Sequence, residues 1–182
     1  HHLDAEESRK RTEQSFFVLC KAMKSIMPEK MLLSSTIRLH QLRRPAPPVD
    51  YGVLMLYNTN AITKIDTKNS ILYADDVKPY LRGDIDYALP LDFAFPAFSW
   101  DVWFKDERFY GILRNEQMVD SIRNEGNFVR HEEPSFEEIK KVKLMLNRKL
   151  NYIKNRSVVL YHLSENNVKR FNDEEIEYIF SK

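Results

Sequence analysis

The chain has 182 residues, of which 43% are hydrophobic and 12% aromatic, and its 28 basic side chains are almost balanced by 27 acidic ones. This length and composition predict a single globular domain over 1–182, and the even charge argues against nucleic-acid binding. The sequence has no glycine-rich phosphate-binding motif, so we expect no nucleotide or other cofactor, and it has no apolar run of about 18 residues that would span a membrane.

Apolar periodicity predicts the elements of the first half of the chain. These are the tail of a strand over 3–7, a helix over about 11–27, strands over 31–39 and 49–57, and a short helix over 70–82. Pro28 ends the first helix, and Gly83 ends the short one. The proline-rich segment 43–48 predicts a rigid surface loop rather than a linker between domains.

The segment 87–103 is the most apolar and aromatic part of the chain. Within it, 89–95 predicts a strand buried on both faces, because the run is short and does not alternate. The carboxylate in this strand, Asp92, has two interpretations. It is either a structural group capped near the strand end, or a group at the rim of the sheet that faces a cleft lined by Phe98, Trp100 and Trp103.

The second half of the chain predicts a hairpin, a long helix, a strand and a closing helix. The hairpin joins 102–104 to 109–112, the long helix covers about 135–154, the strand 157–163 and the closing helix about 172–181. Ser135 is the expected N-cap of the long helix, and Asn172 or Asp173 that of the last. The segment 114–133 is polar and poorly patterned, and no element is predicted there.

Strands and helices alternate along the chain, which is typical of parallel βα units. Polar side chains follow the predicted strands: Asp4 and Glu6, His40 and Gln41, Tyr57 and Asn58, Asp92 with Ser99 and Trp100, and His162 with Ser164. The carboxyl ends of parallel strands meet at one edge of a sheet. We therefore expect these side chains to form one site at that edge.

Five short runs carry a resemblance to a known group of proteins. They are STIRLHQ (35–41), PPVD (47–50), LMLYN (54–58), NSIL (69–72) and LPLDFAFPAFSW (89–100). Through them the chain resembles an uncharacterised bacterial family of glycoside-hydrolase-like proteins, secreted or lipid-anchored. That family is distantly similar to the (β/α)8 barrels of glycoside hydrolase family 18, the chitinase group. The resemblance implies a periplasmic or cell-surface location.

The same resemblance implies an α/β fold built from the second half of a barrel. Parallel βα units would form strands four to eight of a (β/α)8 TIM-type barrel, with a β-hairpin insertion after the seventh strand. A complete barrel needs about 250 residues, and half of one leaves a core face uncovered. We therefore expect an N-terminal half-barrel, or a second copy of this chain, to complete the core.

Two family motifs transfer to this sequence with substitutions. Chitinases of the group end strand four with a DxDxE run, whose glutamate is the general acid. The matching stretch here is 4–8, in which Ser8 takes the position of that glutamate and Glu7 fits after a shift of one residue. The LMLYN run resembles their MxYD run, with Asn58 in place of the aspartate.

The leading hypothesis is a glycoside-hydrolase-like protein that acts on or binds a carbohydrate at the carboxyl edge of the strands. A glycosidase needs one protonated and one ionised carboxyl group, which predicts Glu6 or Glu7 as the acid and Asp92 as the stabilising carboxylate. The residues expected to bind the substrate are Asp4, Arg38, His40, Gln41, Tyr57, Asn58 and Trp100.

Two alternatives stay open at this stage. A non-catalytic glycan-binding or cell-surface assembly protein on a degenerate barrel is favoured by Ser8 and Asn58, which stand where the chitinases have acids. Metal-assisted hydrolysis would use His40, His162 and a carboxylate. No tight spacing such as HExxH supports that alternative, so no metal site is predicted.

Overall fold

A parallel sheet and an antiparallel sheet form the framework of the protein. A computed structural model describes residues 2–113, 116–124, 127–153, 156–162 and 164–181, and the side chains of 2–10, 116–117, 124, 165 and 168 lie outside that description. The strands are β1 (Ser34–Arg38), β2 (Tyr51–Met55), β3 (Leu91–Pro96), β4 (Trp100–Lys105), β5 (Arg108–Leu113), β6 (Phe128–Glu132) and β7 (Val158–Tyr161). The parallel sheet has the order β1-β2-β3-β7, and the antiparallel sheet the order β5-β4-β6.

Helices precede, connect and follow these strands. They are α1 (His2–Ile26), α2 (Ala74–Val77), α3 (Glu116–Asn124), α4 (Phe136–Lys149), α5 (Glu165–Val168) and α6 (Asp173–Phe180), with 3-10 helices at Leu39–Arg43 and Lys78–Leu81. Both predicted caps are confirmed. The Ser135 hydroxyl accepts a hydrogen bond from the Glu138 N–H at 3.2 Å, and the Asn172 side chain accepts one from the Glu175 N–H at 2.9 Å.

The main hydrophobic core lies between the parallel sheet and α4. Ile139, Val142 and Leu146 recur at helical spacing along α4 and are fully buried. They belong to the same buried cluster as Leu54 of β2 and Phe95 of β3. Burying side chains of this size contributes about 1.5–3 kcal/mol each, so this contact is the main source of stability for the sheet that carries the candidate site.

The second face of the parallel sheet is only partly covered. Residues along β2 alternate between buried and half-buried, and every second residue of β1, including Thr36 and Arg38, is exposed. Strand β3 agrees with the prediction of a strand buried on both faces over 89–95, since each of its residues except Asp92 is buried. Completion of the core by an N-terminal half-barrel or a second copy stays a prediction, as does the half-barrel itself.

The predicted hairpin is confirmed. Strands β4 and β5 pair in antiparallel fashion, and the turn between them places Asp106 and Glu107 at φ angles of 49° and 60°. Two residues with positive φ are typical of the tight turn whose twist matches a two-stranded ribbon. Helix α3 and strand β6 lie in the segment 114–133, for which no element was predicted.

The N-terminal segment is helical. The prediction of a strand tail over 3–7 is wrong, because α1 runs from His2 to Ile26. Alanine and glutamate in that stretch favour a helix. The helix predicted over 70–82 is present only as α2 and the 3-10 helix that follows it. None of the described helices is long and apolar enough to cross a membrane.

A buried tyrosine predicts how stability depends on alkaline pH. Tyr87 is 4% exposed, and its hydroxyl has no hydrogen-bond partner among the described residues. Burial, with a further contribution from Glu13, raises the pKa of Tyr87 from 10.0 to about 12. The folded protein therefore holds the Tyr87 proton more tightly than the unfolded chain does. The resulting contribution to stability is fully present below pH 10 and is lost as the pH rises towards 12.

We expect Tyr87→Phe to leave stability at pH 7 unchanged or slightly higher, since it removes a polar group without a partner. The variant should also lose less stability than the wild type between pH 10 and pH 12. Urea unfolding at a series of pH values measures both effects. Parallel alkaline profiles for the two proteins would contradict this account.

Candidate functional site

Four aromatic side chains lie together at the carboxyl edge of the parallel sheet. We call Tyr57, Phe98, Trp100 and Tyr161 the aromatic ledge. The Tyr57 and Tyr161 rings stack with centroids 5.2 Å apart and planes 10° apart. Phe98 meets both rings edge-on, at 5.9 and 6.0 Å, and lies 5.2 Å from the ring of Trp100. Such mutual packing fixes the orientation of the rings before any ligand arrives.

The parallel ladder explains why these rings meet. Tyr57 follows the end of β2, Phe98 follows β3, and Tyr161 is the last residue of β7. Pro96 is paired with Tyr161 in the ladder, and the Ala97 N–H donates to the Tyr161 carbonyl at 2.6 Å. The outer member of the stack, Tyr161, is 48% exposed. An aromatic ring is therefore presented to solvent at the edge where parallel α/β proteins place their sites.

A small polar notch adjoins the ledge at Tyr57. Its polar lining includes Arg38, His40, Asn58 and Thr59, and its volume is about 60 Å³. Asn58 has a φ angle of 56°, a left-handed conformation that asparagine tolerates better than most residues. A volume of this size holds about two water molecules or one hydroxymethyl group, not a whole sugar ring.

Burial and nearby charges determine the protonation state of the Tyr57 hydroxyl in the notch. Burial raises the pKa of the Tyr57 hydroxyl, and the nearby Tyr161 raises it further, whereas Arg38 acts in the opposite direction. Tyr57 therefore stays protonated at neutral pH and is available as a hydrogen-bond donor and acceptor. Arg38 contributes a permanent positive charge at the same place.

A buried carboxylate fixes the base of the ledge. Glu132 of β6 is 2% exposed and accepts hydrogen bonds from the Trp100 indole N–H at 2.8 Å, the Ser70 N–H at 2.9 Å and the Ser70 hydroxyl. Its other oxygen is 2.6 Å from Nε of Arg130. Arg130 in turn donates to the carbonyl oxygens of Ile62, Lys64 and Ile65. One carboxylate thus joins the ledge, the antiparallel sheet and the loop after β2.

Ion pairs surround the start of β4 beside Trp100. Arg170 binds the Glu133 carboxylate and donates to the Ser99 hydroxyl at 3.0 Å. Asp101 lies 3.0 Å from Nδ1 of His131. Each carboxylate here therefore has a cationic or imidazole partner, which makes the cluster a positioning framework for Trp100 rather than a source of a free acid.

The structure brings together five of the predicted site residues. Arg38, His40, Tyr57 and Asn58 line the notch, and Trp100 lies on the adjoining ledge. Gln41 has a structural contact instead, since its side-chain oxygen accepts from the Arg38 N–H at 2.8 Å and so caps the 3-10 helix after β1. The positions Asp4, Glu6 and Glu7 are on α1, and their side chains lie outside the described residues.

Asp92 is not at the carboxyl edge. It is the second residue of β3, and its carboxylate accepts from the Ser157 N–H at 2.7 Å, where β7 is about to begin. Pro96, at the end of the strand, lies four positions further along, a distance of about 13 Å. The prediction that Asp92 meets the other strand-end groups is wrong, and the alternative of a capped structural carboxylate is confirmed.

Trp103 also lies away from the ledge. It packs on the small buried cluster of Leu113, Val119, Ile122 and Val129, and its ring contacts Tyr110 at 4.1 Å. The two tryptophans of the chain therefore occupy separate environments. Among the described residues, no group of three or more His, Cys, Asp or Glu side chains is arranged to hold a metal ion.

Four residues of the ledge and its support were not predicted from the sequence: Tyr161, Arg130, Glu132 and Arg170. Tyr161 had a usable signal, because it precedes His162 at the end of a predicted strand. The other three had none, since most of their partners are distant in the chain: Ser70 is 62 residues from Glu132, and Ser99 is 71 residues from Arg170.

Comparisons with known proteins give distant structural likenesses. No family model matches the chain, and no curated protein matches it. The chain is similar to the spore cortex-lytic enzyme SleL of Bacillus cereus, with 16% identity, a TM-score of 0.48, and coverage of 89% of this chain and 46% of that one. It is also similar to a Group IV chitinase of Ostrinia furnacalis, with 8% identity, a TM-score of 0.44, and coverage of 93% and 61%. The chain thus spans only part of either protein, and TM-scores this low do not establish a shared fold.

Proposed function

We propose that this protein binds a carbohydrate at the aromatic ledge. The observation that carries the proposal is the half-exposed ring of Tyr161, stacked on Tyr57 and supported from the side by Phe98. The faces of aromatic rings carry partial negative charge, and the C–H groups on one face of a sugar ring carry partial positive charge. A rigid exposed ring therefore suits a pyranose better than it suits an anionic or flexible ligand.

The notch supplies the polar half of the recognition. Arg38 and the hydroxyl of Tyr57 are donors, and Asn58 offers both a donor and an acceptor. Because the notch is too small for a sugar ring, the ring would lie on the ledge and direct one hydroxyl or hydroxymethyl group into the notch. An open ledge of this kind favours binding along an extended glycan over enclosure of a monosaccharide.

The geometry favours binding over hydrolysis. Among the described side chains, Glu132, Glu133 and Asp101 lie beside the ledge, and each is engaged by hydrogen bonds or ion pairs. Hydrolysis requires a carboxyl group that donates a proton to the leaving oxygen. A catalytic role for Glu6 or Glu7 remains a prediction from the sequence, and Asp92 lies at the other end of β3 from the ledge.

The first experiment is a binding titration with Tyr161→Ala. Oligomers of N-acetylglucosamine are the initial probe, because the sequence motifs resemble those of the chitinase group, and a glycan array extends the search. Loss of the stacking ring should weaken binding by about ten-fold or more, since burying an aromatic ring on a ligand contributes about 1.5–3 kcal/mol. Tyr161→Phe keeps the ring and should retain most of the affinity.

The matched control is Tyr110→Ala, which removes an exposed tyrosine from the antiparallel sheet, where Tyr110 contacts Trp103. Its affinity for the same glycan should equal that of the wild type. Equal affinities for Tyr161→Ala and the wild type would contradict the proposal, as would a complete array on which no glycan binds.

A further inference from the structure

A groove with an apolar floor and a basic rim lies between α4 and the 3-10 helix Lys78–Leu81. Its volume is about 490 Å³, within the range of about 300–1,000 Å³ found for small-molecule sites. Leu81 and Met145 form the floor. We call this the basic groove; none of its lining residues lines the notch or belongs to the aromatic ledge.

Four cationic side chains line the basic groove and no acidic side chain does: Lys78, Arg82, Arg148 and Lys149. Two of them have partners. Lys78 binds Asp75 at 2.6 Å, and Lys149 donates to the Gly83 carbonyl at 3.1 Å. The guanidinium groups of Arg82 and Arg148 have no hydrogen bond or ion pair within the described part of the chain, and both side chains are exposed.

The turn after the 3-10 helix lies against the end of α4. Gly83 has a φ angle of 64°, a left-handed conformation that favours glycine, and its carbonyl accepts the hydrogen bond from Lys149 of α4. The carbonyl of Arg82 is held by the Arg43 guanidinium, which adds a fifth cation nearby. The last turn of α4 carries Arg148 and Lys149, whose charges suit the negative end of that helix. This interaction with the helix end explains why basic residues stand here, and it leaves the Arg148 guanidinium able to bind a ligand.

We propose that the basic groove binds a small amphiphilic anion, with an apolar body on Leu81 and Met145 and a carboxylate, sulfate or phosphate group between Arg82 and Arg148. Guanidinium groups match planar or tetrahedral oxyanions through paired hydrogen bonds. The apolar floor supplies the hydrophobic contribution that a plain inorganic anion would not use. The occupant is a soluble molecule, because the groove is concave and of ligand size.

The test is an NMR titration with octanoate, followed at the Gly83 amide and the Met145 methyl group. Both signals should shift saturably. Hexanoate should bind about ten-fold more weakly, because two fewer methylene groups are buried. The neutral 1-octanol should also bind about ten-fold more weakly, because it lacks the charge-assisted hydrogen bonds. Arg82→Gln/Arg148→Gln should weaken octanoate binding by about ten-fold or more.

The control removes the same number of charges elsewhere. Lys105→Gln/Arg108→Gln changes two exposed cations at the hairpin turn and should leave octanoate affinity unchanged. The proposal is overturned if 1-octanol binds as tightly as octanoate, if the control loses as much affinity as the groove variant, or if no saturable shift occurs. It is also overturned if octanoate does not bind but vesicles containing phosphatidylglycerol do, in a manner that depends on Arg82 and Arg148. The groove would then be a membrane-contact surface.

Discussion

Glu132→Ala is expected to destabilise the protein by about 3–5 kcal/mol, the cost typical of removing one partner from a buried ion pair. The substitution leaves the Arg130 guanidinium, the Trp100 indole N–H and the Ser70 N–H without their acceptor. Because the carboxylate is fully buried, water does not replace it freely. Denaturant unfolding measures the loss, and faster hydrogen exchange at the Ser70 amide should show that the loop after β2 is released.

The neighbouring residue supplies the control. Glu133 is more than half exposed and pairs with Arg170, so Glu133→Ala should cost less than about 1 kcal/mol, as surface ion pairs do. A Glu132→Ala variant that loses no more stability than Glu133→Ala would contradict the role of Glu132 as the junction of the two sheets.

Lys143→Met is expected to destabilise the protein by about 1–3 kcal/mol. Lys143 is a buried residue of α4, and its ammonium group donates to the carbonyl oxygens of Tyr178, Ile179 and Ser181 at the end of α6. Burial lowers the pKa of this ammonium group, and Arg156 lowers it further. The lysine side chain therefore caps another helix, and methionine fills its volume without satisfying the carbonyl groups.

Lys141→Met is the matched control on the same helix, because Lys141 is exposed and pairs only with Glu138 at 2.6 Å in the described contacts. It should change stability by less than about 0.5 kcal/mol. Thermal unfolding of both variants, with hydrogen exchange over α6, distinguishes loss of the cap from loss of surface charge. Equal stability of Lys143→Met and the wild type would show that water satisfies the end of α6.

Structural features that depend on residues close together in the chain were predictable from the sequence. The caps at Ser135 and Asn172 depend on a side chain and a backbone N–H only three residues apart, so their pattern is visible in the sequence. The hairpin is similar, since its turn and its alternating strands lie within one short segment. The parallel arrangement also followed from alternation of strands and helices, and the fold contains such a sheet.

The position of a residue along a strand was not predictable. Asp92 was expected at the carboxyl edge, but pairing with β2 begins at Leu91 and pairing with β7 at Phe93, which places Asp92 near the start of β3. Register depends on the neighbouring strands, which the segment itself does not contain. Glu132 illustrates the same limit, because a glutamate between His131 and Glu133 has the pattern of a solvent-facing residue until Trp100 and Ser70 are placed beside it.

The most direct test of carbohydrate binding at the ledge uses the two tryptophans of the chain, Trp100 and Trp103. Their indole N–H signals are recorded by NMR while the glycan selected by the binding titration is added. The account predicts a saturable shift of the Trp100 signal, which belongs to the ledge, and an unchanged Trp103 signal, which belongs to the antiparallel sheet. Saturable glycan binding with an unchanged Trp100 signal, or with a shift at Trp103 alone, would contradict it.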